Sequence, residues 1–315
     1  MKKTAVLGLG VIVVAIVAIL FAAGRIGPSS NPSDSSPTTP ADASQPASTT
    51  EPADEWPSDG AKQGVIDAAG LSDPSAVPEE PETDLTVKED GTVIENRHLT
   101  SLQIRAANVT VRNVKITYRG STWAIRADHE RVDNLVIENV ELDLGSTDSC
   151  AGIWQGAKPI TVRDTEITGY NCDAVKAGGG GSLYEGVYIH SMRREDSDIH
   201  LDGFQPQGVD GLTIRNSVVE MDTDAGANSA FIATPGKDDE PVRNVLIQEV
   251  WFSGGNFIVA STVNKAADAC HQVTIDGIAF SREYRYGPLS KNTGGFPDCG
   301  TVSRAIFEDT HAPID

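Results

Sequence analysis

Asn108-Val-Thr-Val-Arg-Asn113, Asn134-Leu-Val-Ile-Glu-Asn139, Pro159-Ile-Thr-Val-Arg-Asp164, Gly186-Val-Tyr-Ile-His-Ser191, Gly211-Leu-Thr-Ile-Arg-Asn216, Asn244-Val-Leu-Ile-Gln-Glu249 and Gln272-Val-Thr-Ile-Asp-Gly277 are versions of one phrase. Each is an alternating β-branched strand closed by a polar pair. A second short strand follows, such as Val114-Lys-Ile116 or Val140-Glu-Leu142. Asn, Asp and Gly tolerate left-handed backbone and hydrogen-bond their own turn, so the pair marks a bend. The phrase recurs every 25 to 33 residues or so, the range in which self-similarity signals a solenoid. Stacked coils would bury continuous ladders of Val, Ile and Leu and turn the charged residues outward. The expected fold is therefore all-β, a single-stranded right-handed parallel β-helix over residues 85–315, with a β-sandwich as the alternative.

A third strand occupies the other half of each coil, in Ala124-Ile-Arg-Ala127, Gly152-Ile-Trp-Gln155, Ala174-Val-Lys-Ala177 and Gly203-Phe-Gln-Pro206. If Ile125, Ile153, Val175 and Phe204 point inward, alternation turns Arg126, Trp154, Lys176 and Gln205 outward. With rungs about 4.8 Å apart these four form a column about 15 Å long, the length of several sugar rings. An aromatic face beside Arg, Lys and Gln suits stacking on a pyranose and hydrogen bonding to its hydroxyls. An ordinary solvated sheet face is the plainer reading.

Two motifs border this column. Cys172-Asp173-Ala-Val-Lys176 and His200-Leu-Asp202-Gly-Phe-Gln205 set Asp173 and Asp202 at matching positions one coil apart. Two close carboxylates raise one pKa or recruit a cation, so Ca2+ at Asp173 and Asp202 is an expectation. Lys176 is the candidate general base and His200 a proton carrier near neutral pH. Each Asp read alone is an Asx turn at a corner. Arg193, with His190 and Arg194, precedes a polar loop, Glu195 to Asp198, expected to overhang the strip and recognise an acidic sugar. Asp128-His129-Glu130 reads as a solvated turn, Gly178 to Gly181 as a flexible bend, and Asn108-Val-Thr110 as a chance glycosylation sequon inside a coil.

The N-terminus is a targeting segment. Lys2 and Lys3 precede an apolar run over residues 5–23, so residues 1–26 are a signal peptide or a membrane anchor. Residues 27–84, rich in Pro, Ser, Thr and acid, read as a disordered linker. Between Gly27 and Asp90 there are fourteen acidic and two basic residues, most of the chain's net charge of −20. The body is thus only moderately acidic and has no basic run, which argues against nucleic acid. It also means that an anionic polymer would need a local basic patch or a bridging cation. Four cysteines in an exported chain favour disulfides, Cys150 with Cys172 and Cys270 with Cys299. The expected setting is extracellular, secreted or held by residues 5–23, with the protein acting as a monomer and meeting the membrane only through that segment.

Ala107-Asn-Val-Thr-Val-Arg-Asn-Val114, Asp173-Ala-Val-Lys176, Tyr188-Ile-His190, His200-Leu-Asp-Gly-Phe-Gln205, Arg285-Tyr-Gly-Pro-Leu-Ser290 and Phe307-Glu-Asp-Thr310 carry a resemblance to the pectate-lyase-like right-handed β-helix proteins of actinobacteria. It covers nearly the whole body. The superfamily so implied includes polysaccharide lyases, hydrolases and epimerases working in a groove on one sheet. Its lyases hold calcium with acidic residues while a Lys or Arg takes the proton beside the substrate carboxylate. Asp173, Asp202 and Lys176 are the positions onto which that arrangement carries. The full signatures of pectate lyases, polygalacturonases and mannuronan epimerases are not present, so the resemblance implies a fold more than an activity. The expected function is lyase-like action on a uronic-acid polymer. The rivals are a non-catalytic glycan-binding module on a stalk and a hydrolase using Asp173 and Asp202.

Overall fold

A computed structural model describes residues 56–145, 150–195, 200–261, 270–290 and 299–314. The apolar run 5–23 and most of the linker lie outside the described residues, as do residues 196–199 of the loop after Arg193. No helix among the described residues is long and apolar enough to cross a membrane.

The chain winds into a parallel β-helix built from two large sheets whose named strands all pair in parallel. Sheet 1 stacks Leu85–Val87, Leu102–Ile104, Trp123–Ala127, Cys150–Gln155, Cys172–Ala177, Asp202–Pro206, Ser229–Ala233, Phe257–Ser261 and Gly287–Leu289, each one coil from the next. Sheet 2 holds the repeated phrase and the strand after its bend, as in Thr110–Tyr118, Leu135–Leu144, Asp210–Met221 and Val242–Ser253. Single side chains stack from coil to coil along the core. Val111, Ile137, Val162, Tyr184, Ile214, Ile247 and Ile275 are register partners in sheet 2, and Ile125, Ile153, Val175, Phe204, Phe231 and Val259 in sheet 1. All are buried.

The polar residues closing the phrase do turn the chain. Asn113, Asn139, Asp164, Asn216 and Glu249 have φ of 49°, 52°, 44°, 45° and 53°, a left-handed conformation favoured by residues that hydrogen-bond locally. Asn108 sits at the opposite bend with φ 55° and is exposed there, not enclosed in the coil. On the sheet 2 surface Glu185 lies between Arg163, at 3.3 Å, and Arg215, at 2.7 Å.

Three further sequence expectations are corrected. Gly186-Val-Tyr-Ile-His-Ser191 is not the first strand of its coil. Glu185 pairs with Arg215 and Tyr188 with Val218, so Gly186 occupies the bend and Ser182–Glu185 is the first strand. Gly178 to Gly181 is not a loose bend either. A side chain on Gly179 would collide with Lys158 O and the Gln155 amide, and one on Gly180 with Asp210 O, so the glycines allow close stacking of backbone. Finally, the end of the expected linker is structured. Asp59–Ala68 forms a helix whose Val65 and Ile66, with Trp56, pack on Val218, Trp251 and Ala279 of sheet 2's outer face. The Trp56 and Trp251 rings are 4.3 Å apart. From there the chain straps across the bends, with Gly70 N bonded to Asp164 O at 3.0 Å, Asp73 N to Asn113 Oδ1 at 2.9 Å and Glu82 N to His98 O at 2.7 Å.

Cys150 and Cys172, register partners in sheet 1, form one disulfide, and Cys270 and Cys299 the other. Each joins neighbouring coils, and such bonds persist in an oxidising compartment.

Candidate functional site

The outward column on sheet 1 follows from the register. Gln103 pairs with Arg126, Arg126 with Trp154, Trp154 with Lys176 and Lys176 with Gln205, all partly exposed. Beyond Gln205 the neighbouring strands continue with Ile232 and Ala260, so the polar part ends there. Trp123 joins from the side, its ring 5.8 Å from that of Trp154 and edge-on to it. Arg126 lies 4.2 Å above the Trp123 ring, and Lys176 Nζ 5.4 Å from the centre of Trp154. Guanidinium, indole and ammonium thus alternate along one face.

A second column runs beside it through register partners Trp123, Ala151 and Asp173, with Asp202 and Ser229 paired on the following coils. It bends inward. Asp173 is 4 % exposed and Asp202 0 %. Next to them Gly152, Ala174, Gly203 and Ala230 are buried, and the two glycines leave no room for a side chain. A Cβ on Gly203 would meet Val219 Cγ1 at 2.8 Å as well as the Ala230 carbonyl. Asp173 Oδ2 accepts from Lys176 Nζ at 2.9 Å and Asp173 Oδ1 from the Asp202 backbone N–H at 2.9 Å. Asp202 Oδ1 accepts from Asn228 Nδ2 at 2.9 Å, and Asn228 Oδ1 in turn from Asn256 at 3.3 Å. Among the described residues Asp202 Oδ2 is buried without a hydrogen-bond partner, and the Ser229 backbone N–H also acts on this carboxyl.

Burial raises the pKa of both carboxyls. For Asp173 the Lys176 charge opposes the rise. For Asp202 the charge of Asp173 adds to it and holds the acid well above the ordinary carboxylate range.

This geometry tests the calcium expectation. Calcium takes six to eight oxygens. Three of the four carboxylate oxygens are occupied by donors, the fourth is enclosed, and among the described residues no three His, Cys, Asp or Glu gather around a common point. The pair does not fit a divalent cation. Nor does it fit the hydrolase arrangement, in which two carboxyls flank a glycosidic oxygen, because Asp202 has no exposed surface.

The other expected residues fall as follows. His200 is exposed beside the pair, close enough for its charge to act on Asp173. Arg193 belongs to sheet 2, where it faces Asp222 at 3.6 Å and lines a groove with Ser191 and Asp224. It is not a member of the strip. Asp128, expected in a solvated turn, grips Arg126 through both oxygens at 2.5 and 2.9 Å.

Gln103, Arg105 and Trp123 lie outside the site residues that the sequence predicts, although alternation in Leu102-Gln-Ile-Arg105 is a usable signal for the first two. With these added, the fold and strip define a parallel β-helix presenting a cationic and aromatic face from its first coils to its middle. No protein-family model, curated protein or solved structure matches the chain.

Proposed function

We propose that the protein is an extracellular β-helix that binds a uronate-bearing polysaccharide along the sheet 1 strip. The observation that carries this reading is the single file of Gln103, Arg126, Trp154, Lys176 and Gln205 on consecutive coils. A glycan laid along the axis would meet one such side chain per rung of about 4.8 Å, the indoles stacking on ring faces and the cations facing carboxylates. Export of the chain and its disulfides suit contact with an envelope or environmental glycan. In titrations with a panel of uronate polymers, Trp154→Ala should weaken binding by about tenfold, near the loss of one stacked aromatic contact. Unchanged affinity would remove the strip from the account.

A second reading, eliminative cleavage, is favoured by one observation. A binding face has no need of the enclosed, half-unpaired Asp202, and perturbed buried acids concentrate at reacting sites. In that reaction Lys176 would take the proton from the carbon beside the uronate carboxylate. The C–H pair would become the ring double bond as the glycosidic C–O bond breaks, and His200 would protonate the departing oxygen. At rest Lys176 donates to Asp173, and an ammonium has no lone pair, so the step requires a proton held on Asp173. Absorbance near 235 nm decides: a rise lost in Lys176→Ala supports cleavage, and a flat trace with binding intact leaves the binding module.

A further inference from the structure

The first two coils hold a groove of about 820 Å³, a volume typical of small-ligand sites, where the strip meets the corner between the sheets. The strip's Trp123 and Arg126 line it, together with the end of the strand Thr110–Tyr118 and the turn from Arg119 to Thr122 that follows. Three guanidiniums, those of Arg105, Arg119 and Arg126, line it against one carboxylate, Asp84, in a chain of net charge −20. Asp84 is engaged by the Thr100 hydroxyl at 2.6 Å and by Ser101, which hold its carboxyl below the usual range. Arg119 is bound to Asp143 at 2.8 Å and Arg126 to Asp128. Arg105 is different. Among the described residues its side chain makes no ion pair, and its Nε is buried without an acceptor. A buried donor left unpaired costs free energy that an arriving acceptor recovers, and a guanidinium fork matches a carboxylate in plane and spacing.

We infer that this groove is an anchoring subsite for one carboxylate-bearing sugar, with Arg105 as its carboxylate-binding residue and Trp123 as the ring platform. It sets one end of the bound chain at the first coils, so the glycan runs toward Gln205. The occupant's identity rests on the reading of the strip, but the groove can be tested apart from it.

The test follows the side-chain Nε–H resonance of Arg105, assigned by its loss in Arg105→Lys, while the full-length protein is titrated with glucuronate, glucose and glucose 6-sulfate. Glucuronate should move it and glucose should not. No shift with glucuronate, or a shift with the sulfate ester alone, overturns the assignment. Arg105→Gln should weaken a uronate oligomer about tenfold and leave a carboxyl-reduced oligomer unaffected. Oligomer binding that needs Trp154 but leaves Arg105 unmoved refutes the subsite and spares the strip. A glucuronate shift without any polymer binding does the reverse.

Discussion

Asp202 is the residue on which chemistry and stability meet. Its folded pKa, like that of Asp173, lies above the value of about 3.9 for an unfolded Asp. The folded state therefore retains protons that the unfolded chain releases. Stability from this source is complete below the unfolded value and is lost as pH rises through the folded one. Asn in place of Asp202 keeps the Asn228 contact in a neutral group, so thermal unfolding of Asp202→Asn between pH 4 and 8 should show a shallower decline and an equal or higher Tm at pH 7. A clear loss of stability at pH 7 would mean that the carboxylate is charged and valued in the fold. The positions of Asp173, Lys176, Asp202 and Gln205 were legible because alternation and the repeat place them in register. Their enclosure was not, since burial depends on what adjoining coils lay over a corner. Arg105 is legible as an outward residue but not as a site residue, since the groove it lines is completed by Arg119 and Trp123 of the next coil.

At the scale of elements, the helix Asp59–Ala68 was hidden for a physical reason. Its sequence, Asp-Gly-Ala-Lys-Gln-Gly-Val-Ile-Asp-Ala, has two glycines and only Val65 and Ile66 as large apolar residues. Such a segment is a poor helix by itself and forms because sheet 2 offers Val218, Trp251 and Ala279 to cover. The Ser58 hydroxyl caps it by accepting from Ala61 N at 3.2 Å, and Lys62 ties it to Glu220 and Glu308 at 3.1 and 2.8 Å. Trp56→Ala should lower stability by roughly 2–3 kcal/mol, less than a fully buried Trp because this one is partly exposed. Removing the chain up to Ala69 should also raise binding of a hydrophobic dye. Denaturant unfolding checks the first and dye fluorescence the second, and no change in either would make the strap incidental. The misaligned coil at Gly186 has a similar cause: Gly186-Val-Tyr-Ile imitates the phrase, and only pairing with Asp210–Met221 shows that it starts after the bend.

For the whole molecule, the solenoid was legible from six true phrases and one imitation because each coil contacts its neighbours alone and repeats the same burial. Stability in such a fold is spread along the axis, so the disulfides clamp it locally. They close loops of 22 and 29 residues, and removing either as a Cys→Ser pair should cost roughly 3–4 kcal/mol on the loop-entropy account. Loss of Cys270–Cys299, near the C-terminal coil, should loosen hydrogen-exchange protection at Gly300–Phe307 first and leave sheet 1 around Trp154 protected. Simultaneous loss of protection throughout would contradict this local role. The same axial build gives the strip its length, and the central claim is that the strip reads acidic sugars. The most direct measurement is calorimetric titration of the protein with a uronate polymer, the same polymer with its carboxylates reduced to alcohols, and the native polymer against Trp154→Ala. The account predicts binding of the native polymer alone, weakened in the variant. Equal binding of native and reduced polymers, or a variant indistinguishable from the natural protein, would contradict it.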